Sequence, residues 1–161
     1  KEAELQQLDD ADAFEFIDIL NIHPFSFQND PIVQGKFNDW LLAACKYIVR
    51  RCGKPDMPII ATEWGYPSGV KAGASMLLTS GVYPVRIPPV TEEMQDRLMN
   101  ASLRVFHRYD VGPICLLTKD IPSEEQPNFW AYHCGIYRVD GSKKPSWKTV
   151  RRWGNYGNSK H

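Results

Sequence analysis

The sequence predicts an α/β fold: a parallel sheet whose strands are joined by helical crossovers. Three observations predict it. Apolar runs of strand length alternate with longer segments whose apolar residues recur at three-and-four spacing. Helix-length segments begin or end at cap and stop residues. Polar residues able to do chemistry stand where the apolar runs end. Strands separated by such helices pair parallel, through right-handed crossovers. Two architectures fit, a small doubly wound sheet or part of a (β/α)8 TIM barrel. With 161 residues the chain is one domain. A complete barrel needs at least about 200 residues, so about three βα units are expected here.

The elements follow in order. Residues 1–15 read as the end of a helix feeding the first strand, FIDILNIH, 16–23, which Pro24 ends. A helix over 32–51 places Phe37, Trp40, Leu41, Ala44, Cys45, Ile48 and Cys52 on one face, and Gly53 stops it. PIIATE, 58–63, is a second strand that stays apolar until it reaches a carboxylate. A long loop with Gly and Pro throughout covers 64–90. Thr91 caps the next helix, with Glu92 and Glu93 in its first turn and Met94, Leu98, Ala101 and Val105 on one stripe to about residue 109. Gly112 and Pro113 separate it from a third strand, ICLLT, 114–118. GIYRVDGSKKPSW reads as a short extended pair around Asp140-Gly141, before a basic helix over 147–153.

Composition narrows the function. Nineteen Lys plus Arg balance nineteen Asp plus Glu, which argues against nucleic acid as a partner. No apolar run is long enough to span a membrane. With 43% hydrophobic and 12% aromatic residues the chain can build a core. The start, KEAELQQLDDADAF, is too acidic and polar for a signal peptide, and a mature secreted product would have lost one, so no compartment follows. Cys45, Cys52, Cys115 and Cys134 form no C-x-x-C pair and no zinc spacing, so no metal and no cofactor is expected. They read as reduced and buried, with a Cys52–Cys134 disulfide as the alternative. Asn100-Ala101-Ser102 is a glycosylation sequon by pattern, but inside an expected helix. The basic tail from Lys143 to Lys160, with Lys144, Lys148, Arg151 and Arg152, reads as a solvated face.

Three features stand at strand ends, where parallel α/β folds bind ligands. His23 closes the first strand, Glu63 the second, and Lys119 with Asp120 follow the third. Glu63 is the most informative, because a carboxylate on a buried strand loses solvation that hydrogen bonds or a function must offset. Strand parity aims Ile59, Ala61 and Glu63 the same way. The structural alternative for Glu63 is a salt bridge at a strand end. Lys119 and Asp120 are candidates for binding hydroxyls at the rim, or form a mutual surface pair.

The run PIIATEWGYPSG resembles the seventh-strand segment of the clan A glycoside hydrolases, retaining (β/α)8 enzymes that include cellulases, mannanases and xylosidases. FIDILNIHPF is similar to their sixth-strand segment, PPVTEEMQDRLMNASLRVF to the seventh helix, and HCGIYRVDGSKKPSW to the closing unit. Each motif is short, but the four occur in the family's order over nearly the whole chain. The resemblance implies that Glu63 is the catalytic nucleophile. It further implies an oligo- or polysaccharide substrate and a second carboxyl group about 5–5.5 Å away as acid/base. In the family that group follows Asn in an Asn-Glu pair ending the fourth strand, and no such dipeptide occurs here. The chain is therefore expected to be the C-terminal portion of a barrel, 1–161 as one partial domain, with the acid/base outside it. Hydrolysis by this portion alone is not expected.

His23 is then a hydrogen-bonding residue beside the nucleophile, or a strand-end histidine satisfied by local backbone. The family pattern places Tyr two residues later as a donor to the nucleophile. This chain has Phe25, which lacks the hydroxyl. Aromatic rings stack on the apolar faces of pyranoses. Trp64, Tyr66, Phe129, Trp130 and Tyr132 are candidates, with Trp130 preferred, and packing of loops onto the barrel is the alternative for each. Trp40, Trp147 and Trp153 read as core or interhelical residues. A partial sheet leaves open edges and an apolar face, so a partner surface is expected: the missing barrel portion or a second copy. The rival reading is a non-catalytic carbohydrate-binding or interaction module derived from such a barrel, motivated by the missing acid/base and by Phe25. A small doubly wound binding domain is a third possibility.

Overall fold

A computed structural model describes residues 7, 10, 13–69, 76–78, 85–87, 90–122 and 129–157. Strands β1 (Leu20–Ile22), β2 (Ile59–Trp64) and β5 (Val111–Leu116) form a three-stranded sheet in the order β1-β2-β5, parallel throughout. Helices α1 (Pro31–Arg51), α2 (Glu92–Arg108) and α3 (Ser146–Gly157) make a second layer in which α2 packs between the other two. A separate antiparallel pair, β3 (Met76–Leu78) and β4 (Val85–Ile87), lies in the segment expected to be loop. Of the helix expected near the start, Gln7 and Asp10 are helical and the rest of 1–12 lies outside the described residues. Ala13–Phe16 form a 3-10 turn, which shortens the first strand to its last apolar residues.

Helix α1 starts where Asp30 accepts from the Ile32 and Val33 amides, with Pro31 at the first helical position. It ends at Gly53, whose φ of 75° suits a residue without Cβ. Its buried face is Gln34, Asn38, Leu41, Leu42, Cys45, Ile48 and Val49. Trp40 is off that face and 52% exposed, contrary to its expected packing role. Thr91 caps α2 through the Met94 amide, as the sequence predicts. Hydrogen bonds to its own backbone amide and to Thr91 hold the Glu93 carboxyl below the usual carboxylate range.

Strand β5 begins earlier than expected and takes in Gly112 and Pro113. An edge strand tolerates proline, because the missing N–H leaves no central ladder unsatisfied. Register explains the rest: Ile59 faces Val111 and Ala61 faces Ile114, so β5 carries an extra residue there. Between Ala61 and Trp64 the excess lies on β2 instead, at Thr62 and Glu63. That second bulge corrects the parity expectation. Ile59, Ala61 and Trp64 are buried in the core, while Thr62 and Glu63 are both exposed.

The core lies between one sheet face and the helices, with Leu42, Cys45, Val49, Ile59, Leu98, Met99 and Phe106 at its centre. Ser102 lets α1 and α2 approach: its hydroxyl accepts from Gln34 and Asn38 and donates to the Leu98 carbonyl. Ser102 is buried, and the Asn100 carbonyl oxygen accepts from Arg152 and Trp153, so both sequon side chains serve helix packing. All four cysteines are thiols, with no Cys52–Cys134 disulfide; Cys45 and Cys134 are buried as expected, but Cys52 is half-buried and Cys115, on the open side of edge strand β5, is exposed. No helix among the described residues is long and apolar enough to cross a membrane.

Candidate active site

Register builds the site. Ile22 pairs with Ala61, so the next residues, His23 and Thr62, leave the sheet side by side. The His23 ring then touches two consecutive residues of β2. Its Nε2 lies 3.0 Å from Thr62 Oγ1, and its Nδ1 lies 3.8 Å from Glu63 Oε2. In a regular strand, neighbouring side chains point to opposite faces. The bulge at Thr62 and Glu63 brings both onto the open face, where one imidazole reaches both. Asn21 completes the group, its Oδ1 accepting from the Thr62 amide at 3.2 Å and the Thr62 hydroxyl at 2.9 Å. The Glu63 side chain is 58% exposed and His23 46% exposed. Glu63 is therefore not locked into the helical layer.

The chain leaving His23 contributes aromatic rings. Phe25 and Phe27 each meet the edge or face of Trp130 at 5.0 Å between centroids. Phe129 extends the cluster to Tyr132. Phe25 thus packs a ring where the family pattern has a donor. Trp130, Phe129 and Tyr132 are half-buried, so each keeps some exposed surface. Phe27, Thr62 and Asn21 were not nominated by sequence. Phe27 follows Phe25 at strand-like spacing, a signal hidden by the loop composition around it.

Two expected platforms are corrected. Trp64 is 1% exposed and packs against Phe106 of α2, because β2's bulge returns it to the helix side. Tyr66 is 2% exposed, and its hydroxyl makes no hydrogen bond among the described residues. Burial, reinforced by Cys134, pushes its phenol well above the usual tyrosine range. Gln95 holds this segment in place, donating to the Tyr66 and Gly135 carbonyls while Ser146 donates to its Oε1.

Lys119 and Asp120 do not form the expected pair. Lys119 is exposed, and Asp120 is bound by Lys144, whose Nζ lies 2.7 Å from Oδ2. Lys144 also donates to Ser68 Oγ and the His133 carbonyl, and Gly135 N donates to Asp120. Lys144 is 2% exposed, so this member of the basic tail is a buried lock rather than a solvated charge. Lys143, Lys148, Arg151 and Arg152 do remain exposed, and Lys160 lies outside the described residues. Among the described residues no group of three His, Cys, Asp or Glu is placed to hold a metal.

This is an α/β chain with a carboxylate, an imidazole and an aromatic cluster at the carboxyl ends of parallel strands, and solved glycosidases contain the same arrangement of elements. A family 39 glycoside hydrolase from the gut symbiont Bacteroides cellulosilyticus WH2 superposes with a TM-score of 0.61 at 17% identity, over 91% of this chain and 29% of that one. The Ruminococcus gnavus beta-glucuronidase matches at 0.57 and 15% identity, over 87% and 23%. A beta-glucuronidase from an uncultured Clostridium sp. matches at 0.56 and 17% identity, over the same shares. The chain spans less than a third of the length of these structures. No family model and no curated protein matches the sequence.

Proposed function

We propose that the chain is the C-terminal part of a (β/α)8 retaining glycoside hydrolase, with Glu63 as the nucleophile. The observation that carries this reading is the placement of Glu63: a strand-end carboxylate, exposed on the open sheet face beside His23. Its carboxylate oxygen attacks the anomeric carbon as the bond to the leaving oxygen breaks. A carboxyl group from outside this chain donates the proton to that oxygen. Water then attacks the same carbon, giving its proton back to that group and releasing Glu63. His23 stands beside the attacking group, and the Phe25, Phe27 and Trp130 rings offer apolar surface to a pyranose.

The rest of the barrel is the proposed partner, with a second copy as the alternative. Three features support a missing neighbour. The sheet is covered by helices on one face, while Asn21, Thr62, Glu63 and Cys115 are exposed. Among the described residues β1 and β5 each pair on one side. On α1, Val33, Trp40 and Tyr47 expose a second apolar stripe away from the core.

The competing reading is a non-catalytic carbohydrate-binding module, favoured by Phe25 packing in place of a hydroxyl donor. Glu63→Gln separates them. In the polypeptide that includes the remaining barrel, the substitution abolishes turnover of an aryl glycoside and leaves sugar binding intact. Turnover that survives the change overturns the nucleophile assignment.

A further inference from the structure

The donors and acceptors around Thr62 fix which nitrogen of His23 carries a proton. The Thr62 backbone amide can only donate, and it lies 3.2 Å from an Asn21 side-chain atom, so that atom is the carbonyl Oδ1. The same Oδ1, an acceptor, lies 2.9 Å from Thr62 Oγ1. The one hydroxyl proton of Thr62 is therefore given to Asn21. What Oγ1 offers His23, 3.0 Å away, is a lone pair. His23 must then carry a proton on Nε2. In the neutral ring the remaining nitrogen, Nδ1, is the unprotonated one, and it is the nitrogen facing Glu63 Oε2 at 3.8 Å.

We propose that Asn21 and Thr62 are positioning residues that hold the neutral His23 ring as its Nε2–H tautomer. Resting on the reading of Glu63 as nucleophile, this gives His23 a defined part. Neutral His23 presents a lone pair to the carboxylate and leaves it undonated. Charged His23 presents Nδ1–H and forms an ion pair with it at 3.8 Å. The ring therefore passes from presenting a lone pair to presenting an N–H toward Glu63 by gaining one proton at one known atom. The bulge makes the device possible, because only there do adjacent β2 residues meet both nitrogens of one imidazole. The charged group that faces Nδ1 of the ring is Glu63 from β2.

Nitrogen-15 NMR of the imidazole tests this without any turnover, so its failure is distinct from failure of the glycosidase reading. In the wild-type chain at alkaline pH, the neutral His23 ring shows the pattern of a protonated Nε2. Thr62→Ser keeps a hydroxyl and retains that pattern. Asn21→Ala frees the Thr62 hydroxyl to donate to Nε2 and converts the ring to Nδ1–H. Thr62→Val removes the acceptor and moves the ring the same way, toward the carboxylate. A wild-type ring protonated on Nδ1 overturns the proposal. So does an Nε2–H pattern that neither Asn21→Ala nor Thr62→Val changes.

Discussion

Acidic residues at the ends of two neighbouring strands meet opposite fates. Asp120, past β5, is enclosed: Lys144 and the Gly135 amide bind its carboxylate, and Lys144 is itself buried against Ser68 and the His133 carbonyl. Glu63, at the end of β2, stays open, with the His23 ring beside its carboxylate. The difference is what comes back over each end. Residues 133–144 fold over Asp120, and among the described residues nothing covers the sheet face that bears Glu63. A covered carboxylate must be paired, since desolvation of a lone charge is costly. An open one needs no partner and stays available to a ligand. Position at a strand end nominates a residue for chemistry, and burial with saturation by partners withdraws it.

The sharpest way to break the contrast is to remove one charge from each end. Lys144→Met strips the buried cation from Asp120 and should cost about 3–5 kcal/mol, read as a lower urea midpoint. Glu63→Gln removes an exposed charge and should change stability by no more than about 0.5 kcal/mol. The comparison fails if the two variants lose comparable stability.

A smaller effect tests the cover itself. A Cβ on Gly135 would lie 2.4 Å from Asp120 N and 2.5 Å from the Lys119 carbonyl carbon. Both are backbone atoms, which cannot rotate away as a side-chain end can. Gly135→Ala should cost about 1–3 kcal/mol through forced displacement, seen as a lower Tm. A change of the same kind at open Gly53 has no such contact, its obstacle being a positive φ instead.

Much of this was readable in the chain. The Thr91 cap, the Gly53 stop, the apolar run of PIIATE and the strand-end places of His23 and Glu63 are local signals, and local physics decides them. What was hidden depends on register and return contacts. The bulge that turns Thr62 and Glu63 outward and Trp64 inward arises from pairing with β5, which a linear parity count does not contain. Lys144 looked like one cation among several in a basic tail. Its pairing with Asp120 exists because a later segment crosses an earlier one. Pro113 argued for a strand boundary, and an open edge removed the argument. The aromatic candidates divided on the same ground: Trp130 stayed half-buried among rings, while Trp64 was turned into the helix layer and Tyr66 was buried beside Cys134.

The covered region should also reveal itself by titration. Burial pushes the Cys134 thiol well above its usual value, against the pull of Lys144, and the Tyr66 phenol rises for the same reason. Sγ donates to the Trp130 carbonyl, a further tie to the protonated form. Both groups are neutral when protonated, and the folded state holds that proton more tightly than the unfolded chain. Their contribution to stability is therefore complete below the unfolded values and declines as pH rises past them. The thiol acts first, from about pH 8.5, and the phenol from about pH 10. One unit above the thiol's unfolded value the loss is about 1.4 kcal/mol. A series of Tm measurements from neutral to strongly alkaline pH should fall in two stages. Cys134→Ala should flatten the first and Tyr66→Phe the second. If neither variant alters the slope, these groups are reached by solvent, and the cover over this end of the sheet is looser than the contacts of Lys144, Asp120 and Gly135 require.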